Sequence, residues 1–97
     1  MIKKCVNITV EQALQLIKEE DVLIVDVRNS DEYKENHLLN SINIPAHEIL
    51  RIKDLEKNKK RCIILYCSRG SRSMAACQIL ADVGYERVYN LYGGILF

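Results

Sequence analysis

The stretch "CIILYCSRGSRSMAACQILADVGY", Cys62 to Tyr85, decides the fold. It opens on a short, β-branched apolar run that ends in a cysteine. The segment "CSRGSR", Cys67 to Arg72, follows with one glycine and two arginines. From about Arg72 to Val83 apolar residues recur at helical spacing, which puts Ala75, Ala76, Ile79, Leu80 and Val83 on the expected inward face. Gly84 suits the left-handed residue that stops a helix. A buried strand, a tight loop and a helix in that order form the unit of a parallel sheet, because a parallel neighbour needs a crossover.

The same alternation repeats outward from this unit. Val6 to Ile8 reads as a short strand. Thr9 follows as an N-cap with Gln12 at the third helical position, a capping box, and Val10, Ala13, Leu14 and Ile17 form an apolar stripe. "VLIVDV", Val22 to Val27, is nearly continuous in apolar, β-branched residues, as a strand covered on both faces should be. Ser30 is placed to cap a short helix over Asp31 to Glu35. "SINIP" reads as a strand closed by Pro45, with a helix after it, and "RVYNL", Arg87 to Leu91, as a last strand before an irregular tail. The expected fold is therefore α/β: a small, mainly parallel sheet with helices on both faces, in three layers, as one domain over residues 1–97. In such sheets ligands collect beyond the carboxyl ends of the strands, here after "VDVR" and after "LYCSRGSR".

Bulk properties exclude several classes of function. The chain has 97 residues, 48% apolar and 28% charged, with a net charge of +1, so no face is loaded for nucleic acid. The run "KDLEKNKKR" (Lys53 to Arg61) reads as a solvated helix end or loop. No run approaches the roughly 18 apolar residues of a membrane span, and the N-terminus lacks a signal-peptide core. A cytosolic location is expected, where an even count of four cysteines does not imply disulfides. No cofactor is implied. A metal site is not expected either, since there is no C-x-x-C pair and His37 and His47 show no ligand spacing with the cysteines. Cys62 and Cys77 read as small buried hydrophobes, and Cys5 carries no signal.

Cys67 is different. It stands at a strand end, before a helix whose first N–H groups have no partners within the helix and whose dipole favours an anion. Gly70 lets the loop curl so that successive N–H groups point inward as a nest. Ser71 and Ser73 offer hydroxyl donors, and Arg69 and Arg72 supply positive charge at the rim. A thiol in that cradle is expected to be largely thiolate near neutrality, and so nucleophilic.

Three stretches, "LIVDVRNSDEYKENHLLNSINIP", "ILYCSRGSRS" and "ILADVGYERVYNLYGGI", in their order and spacing, resemble a single-domain rhodanese of the rhodanese-like sulfurtransferase family. The matching positions are Asp26, Arg28, Glu32, Tyr33, His37, Asn43, Pro45, Cys67, Gly70, Arg72, Gly93 and Gly94. The resemblance implies transfer of a sulfane sulfur from thiosulfate, or another persulfide donor, to cyanide or a thiol through a Cys67 persulfide. It makes Cys67 catalytic and Ser68, Arg69, Gly70, Ser71, Arg72 and Ser73 the substrate-binding loop, with the two arginines attracting a dianionic donor. Asp26, Arg28 and Glu32 are expected as scaffold, Arg28 paired with Glu32. His37 is expected to be a hydrogen-bonded structural residue. Asn36 and Asn40 stand where relatives usually carry glycine, and asparagine tolerates positive φ best after glycine.

Two other readings compete. One is a persulfide carrier in an intracellular sulfur relay, partnered with another sulfur-handling protein and turning over thiosulfate poorly. The other is a cysteine phosphatase or arsenate reductase, whose C-x-x-x-x-x-R loop is one residue longer. Here position 73 is serine and the arginine comes one place early, which suits a single sulfur atom better than a phosphate.

Overall fold

The computed structural model describes residues 4–94. Five strands, β1 (Val6–Ile8), β2 (Leu23–Asp26), β3 (Ser41–Asn43), β4 (Ile63–Tyr66) and β5 (Val88–Leu91), form one sheet in the order β1-β5-β4-β2-β3. Every neighbouring pair is parallel. The most apolar strands, β4 and β2, lie inside the sheet, and three-residue strands form both edges. Side chains alternate across β4. Ile63 and Leu65 join one buried cluster with Ala76, Cys77 and Leu80 of helix α4 (Ser71–Asp82), and Ile64 and Tyr66 join another with Ala13 of helix α1 (Val10–Glu19). The helices thus cover two faces of one sheet, as the expected three layers require.

Local signals account for most element ends. Thr9 and Gln12 make the capping box of α1. Helix α2 (Ser30–Glu35) begins one residue earlier than expected, capped by Asn29 and not by Ser30. The Asn29 side chain accepts from the Glu32 N–H at 2.9 Å and the Glu32 carboxylate accepts from the Asn29 N–H at 3.1 Å. After Pro45 the chain forms a 3₁₀ turn (Ala46–Arg51) that runs into the short helix α3 (Ile52–Leu55). Gly84 has φ +104° and ends α4 as expected, with Tyr85 N–H returning to Leu80 O.

Two expectations, the inward face of α4 and an unbonded Cys77, are corrected. Of the α1 stripe, Ala13 is buried, whereas Val10, Leu14 and Ile17 are 40–55% exposed. They line a surface groove with Leu38, Leu91 and Gly94. Helix α4 buries Ser73, Ala76, Cys77, Leu80 and Ala81, leaving Ala75 and Ile79 outside. Its orientation is set by two polar tasks that hydrophobic periodicity does not report, the contact of Ser73 with Cys67 and the bonding of Cys77. Cys77 is joined to Cys5 by a disulfide, their Cα atoms 5.5 Å apart across 72 residues of sequence. The cysteine preceding β1 meets α4 because β1 is drawn beside β5 at the sheet edge that α4 covers. Cys62 and Cys67 are free.

Candidate functional site

The carboxyl end of β4 delivers Cys67 into the loop that opens α4. Its side chain is only 1% exposed, and three donors lie within hydrogen-bond reach of its sulfur. Gly70 N–H lies 3.0 Å away, Ser73 N–H 3.4 Å and the Ser73 hydroxyl 3.3 Å. Burial alone pushes the thiol up, because a low-dielectric site disfavours its anion. The Ser73 hydroxyl and the N–H groups of Ser73, Gly70 and Arg69 outweigh burial, and the thiol is held below its ordinary value.

The expected loop residues therefore divide. Gly70, at φ +102°, and Ser73 aim donors at the sulfur. Arg69 is exposed and acts on the sulfur through its backbone. Ser71 is exposed at the start of α4, and the side-chain donor to the sulfur is Ser73 rather than Ser71.

Arg72 and Glu32 correct the expected ion pairing. Arg28 does not pair with Glu32. It binds Asp26, which is fully buried, through Nε and Nη2 at 2.8–3.1 Å, and it also reaches Asn36. Asn43 ties the same strand end by donating to the carbonyls of Asp26 and Arg28. Glu32 instead takes a two-pronged bond from Arg72, at 2.8 and 3.1 Å, and accepts from Ser68 Oγ at 3.2 Å. Arg72 holds the Glu32 carboxyl down at about 2, with help from the Asn29 N–H and Ser68, against the opposing effect of burial. The pair stays charged through the physiological range, so α2 grips the Cys67 loop by way of Glu32. His37, stacked on Tyr33 with ring centroids 3.8 Å apart, also contacts the Tyr33 carbonyl.

Two further residues, Asn90 and Gly94, shape the site without having been singled out for it. Asn90, on β5 and 2% exposed, accepts from the Ser73 hydroxyl and donates to Asn7 Oδ1 at 2.9 Å. Its signal was present, since asparagine is depleted in strands and here interrupts an otherwise strand-like run. Gly94 lies directly against the carbonyls of Cys67 and Ser68. Among the described residues no group of three or more His, Cys, Asp or Glu is arranged to hold a metal ion. None of their helices is long and apolar enough to cross a membrane.

The donor set yields a direct expectation. Ser73→Ala removes the hydroxyl while leaving the backbone cradle. The thiol should then ionise at higher pH, so at a fixed pH below the titration midpoint alkylation of Cys67 should slow by roughly tenfold, as for a lost hydrogen bond to a charged group. The pH profile of iodoacetamide modification checks it. An unchanged profile would remove the hydroxyl from the account of the thiolate.

Comparison with known proteins identifies the family of the fold. A family model described as "Rhodanese-like domain" matches residues 9–96. A thiosulfate sulfurtransferase GlpE of Coxiella burnetii is 31% identical over 83 residues, which span 86% of this chain and 77% of that protein. A sulfurtransferase of Allochromatium vinosum is 39% identical over 82 residues, 84% of this chain and 76% of that one. Among solved structures, a thiosulfate sulfurtransferase from Pseudomonas aeruginosa superposes with a TM-score of 0.83 at 26% identity, covering 94% of this chain and 18% of that longer one.

Proposed function

The chain belongs to the rhodanese-like domain family, and on that premise we propose that it is a sulfurtransferase working through a persulfide on Cys67. The observation that carries this reading is the convergence of Gly70 N–H, Ser73 N–H and Ser73 Oγ on one buried sulfur. The two backbone donors, Gly70 N–H and Ser73 N–H, are fixed where negative charge resides and need no reorganisation during reaction.

The chemistry follows in two displacements. The Cys67 thiolate attacks the outer, sulfane sulfur of thiosulfate or another persulfide donor. A sulfur–sulfur bond forms to Cys67 as the donor's own breaks, and sulfite, or the donor thiolate, leaves with the electron pair. The terminal sulfur of the Cys67 persulfide then carries the negative charge. Cyanide or a thiolate acceptor attacks that sulfur, and the Cys67 thiolate departs. No external oxidant or reductant enters, and alternating substrates imply ping-pong kinetics. The names of the relatives support thiosulfate as the first donor to try.

Arg72 argues against oxyanion-ester chemistry at this loop. Its guanidinium is engaged by Glu32, and position 73, where the phosphatase pattern needs arginine, is a buried serine bonded to the sulfur.

The test is mass spectrometry of protein treated with thiosulfate. A gain of about 32 Da, one sulfur atom, should appear on the Cys67 peptide, vanish with cyanide, and be missing in Cys67→Ser. Treatment that adds no sulfur to the Cys67 peptide from thiosulfate or from any persulfide donor would sink the proposal. Loading that occurs only from a protein persulfide would make the chain a carrier.

A further inference from the structure

Ser73 Oγ carries one proton yet faces three acceptors: Cys67 Sγ at 3.3 Å, Gly70 O at 3.2 Å and Asn90 Oδ1. Gly70 O already accepts the Met74 N–H at 3.1 Å. The competition that matters is between the sulfur and Asn90. With Asn90 Oδ1 toward Ser73, the hydroxyl proton is drawn toward β5, and Asn90 Nδ2 donates outward to Asn7 Oδ1. That polarity suits a neutral Cys67, whose own S–H can point at Ser73 Oγ. It does not suit a thiolate, which draws the hydroxyl proton to itself and leaves two oxygens facing each other across the Ser73–Asn90 contact.

A half-turn of the amide resolves this. Asn90 Nδ2 then donates to Ser73 Oγ, Ser73 donates to the sulfur, and Asn90 Oδ1 turns outward to accept from Asn7. Asn7 is exposed and free to present its Nδ2 by the same reversal. The reversal gives up the contact of Asn90 Nδ2 with Gly70 O, long at 3.4 Å, and turns Oδ1 toward that carbonyl, a weaker opposition of oxygens than the closer one it relieves between Ser73 and Asn90. All three side chains keep a partner in both polarities, which an amide permits and a one-sided donor or acceptor does not.

We propose that Asn90 is a positioning residue whose amide reverses with the charge on Cys67, aiming the Ser73 hydroxyl at the sulfur when it is anionic, and that Asn7 completes the chain. This rests on Cys67 being the reacting group, but not on the identity of the sulfur donor. The charged groups around the loop are untouched by the test. Arg72 and Glu32 pair across α4 and α2, Asp26 and Arg28 pair at the end of β2, and Arg69 is exposed.

The test measures the pH profile of Cys67 alkylation by iodoacetamide, with no sulfur donor present, at low and at high salt. Asn90→Asp puts a pure acceptor beside Ser73, which holds the hydroxyl proton away from the sulfur. The profile should move to higher pH, with alkylation slowed at least tenfold at a fixed pH below the midpoint. Asn7→Asp, at an exposed position, should fold whatever happens to the buried variant. Its carboxylate accepts only, so it keeps Asn90 Nδ2 turned outward and should move the profile the same way, by a few-fold in rate. The Asn7→Asp shift should persist at high salt, where a through-space charge effect fades. A midpoint equal to that of the parent protein in folded Asn90→Asp, or an Asn7→Asp shift that disappears with salt, overturns the proposal. If the parent protein never takes up sulfur, the proposed function fails while these profiles remain readable.

Discussion

Gly94→Ala is expected to disable the Cys67 loop and to destabilise the fold by roughly 3 kcal/mol, as a small-to-large change with strained backbone. A Cβ at position 94 would sit under 3.0 Å from the carbonyl oxygens of both Cys67 and Ser68. These are backbone atoms of the loop itself, so no side chain can swing aside to make room. Position 94 also holds φ +70°, a conformation that costs a residue with a Cβ about 1–2 kcal/mol. Relief requires the loop or residue 94 to shift, and the contact falls on the carbonyls of Cys67 and the residue after it. A displacement near 1 Å moves Gly70 N–H off the sulfur, and misplacement of that size costs on the order of a hundredfold in rate. Three readouts should move together: lower thermal stability, a Cys67 alkylation profile displaced to higher pH, and sulfur transfer reduced about a hundredfold. Gly84→Ala separates the contributions. It meets the same backbone penalty at φ +104°, but its Cβ has only the Lys59 side chain near, at 4.0 Å. It should lose some stability and leave the Cys67 profile in place. Normal sulfur transfer in a folded Gly94→Ala protein would show that the loop does not depend on this close approach.

How much of this was legible in sequence follows the range of the interactions. The cradle around Cys67 was readable because it is local: strand end, glycine and helix start lie within seven residues, Cys67 to Ser73. The Thr9–Gln12 capping box was readable for the same reason. The partner of Glu32 was not, because Arg28 is four residues away and Arg72 forty. Only the pairing of β2 with β4 brings the second within reach. Helix α4 shows the limit of periodicity. Its apolar residues allow several rotations about the axis, and the one adopted buries a serine and a cysteine for reasons found in β4 and ahead of β1. The exposed α1 stripe marks the same limit, since spacing reports that Val10, Leu14 and Ile17 share a face but not what covers it. Asn90 combines both problems. Its oddity within a strand was visible, but its role depends on Ser73, seventeen residues earlier, and on Asn7, eighty-three.

Opening the Cys5–Cys77 bridge is expected to cost about 4 kcal/mol, because it closes a loop spanning 72 residues and removes that much chain entropy from the unfolded state. For a chain of this size the corresponding loss in melting temperature is on the order of 20 °C. The bridge lies where the fold has least else to hold it. Strand β1 is a three-residue sheet edge paired with β5 alone, and two of its three residues are exposed. Anchoring Cys5 to α4 two residues before Asn7 also keeps Asn7 beside Asn90, so the bridge bears on the Cys67 site through hydrogen bonds as well as through stability. Cys5→Ala removes the link without emptying the core, since Cys5 is only partly buried while Cys77 is fully so. Reductant should lower the melting temperature of the parent protein to near that of Cys5→Ala and leave the variant unmoved. Thiol titration of denatured, unreduced protein should count two groups, Cys62 and Cys67, and four after reduction. Four thiols before reduction, together with a melting temperature indifferent to reductant, would mean that Cys5 and Cys77 only pack against each other. The edge strand would then depend on the β1–β5 ladder, the Asn7–Asn90 bond, the bond from Cys5 N–H to Gln78 Oε1 and the packing of Ile8.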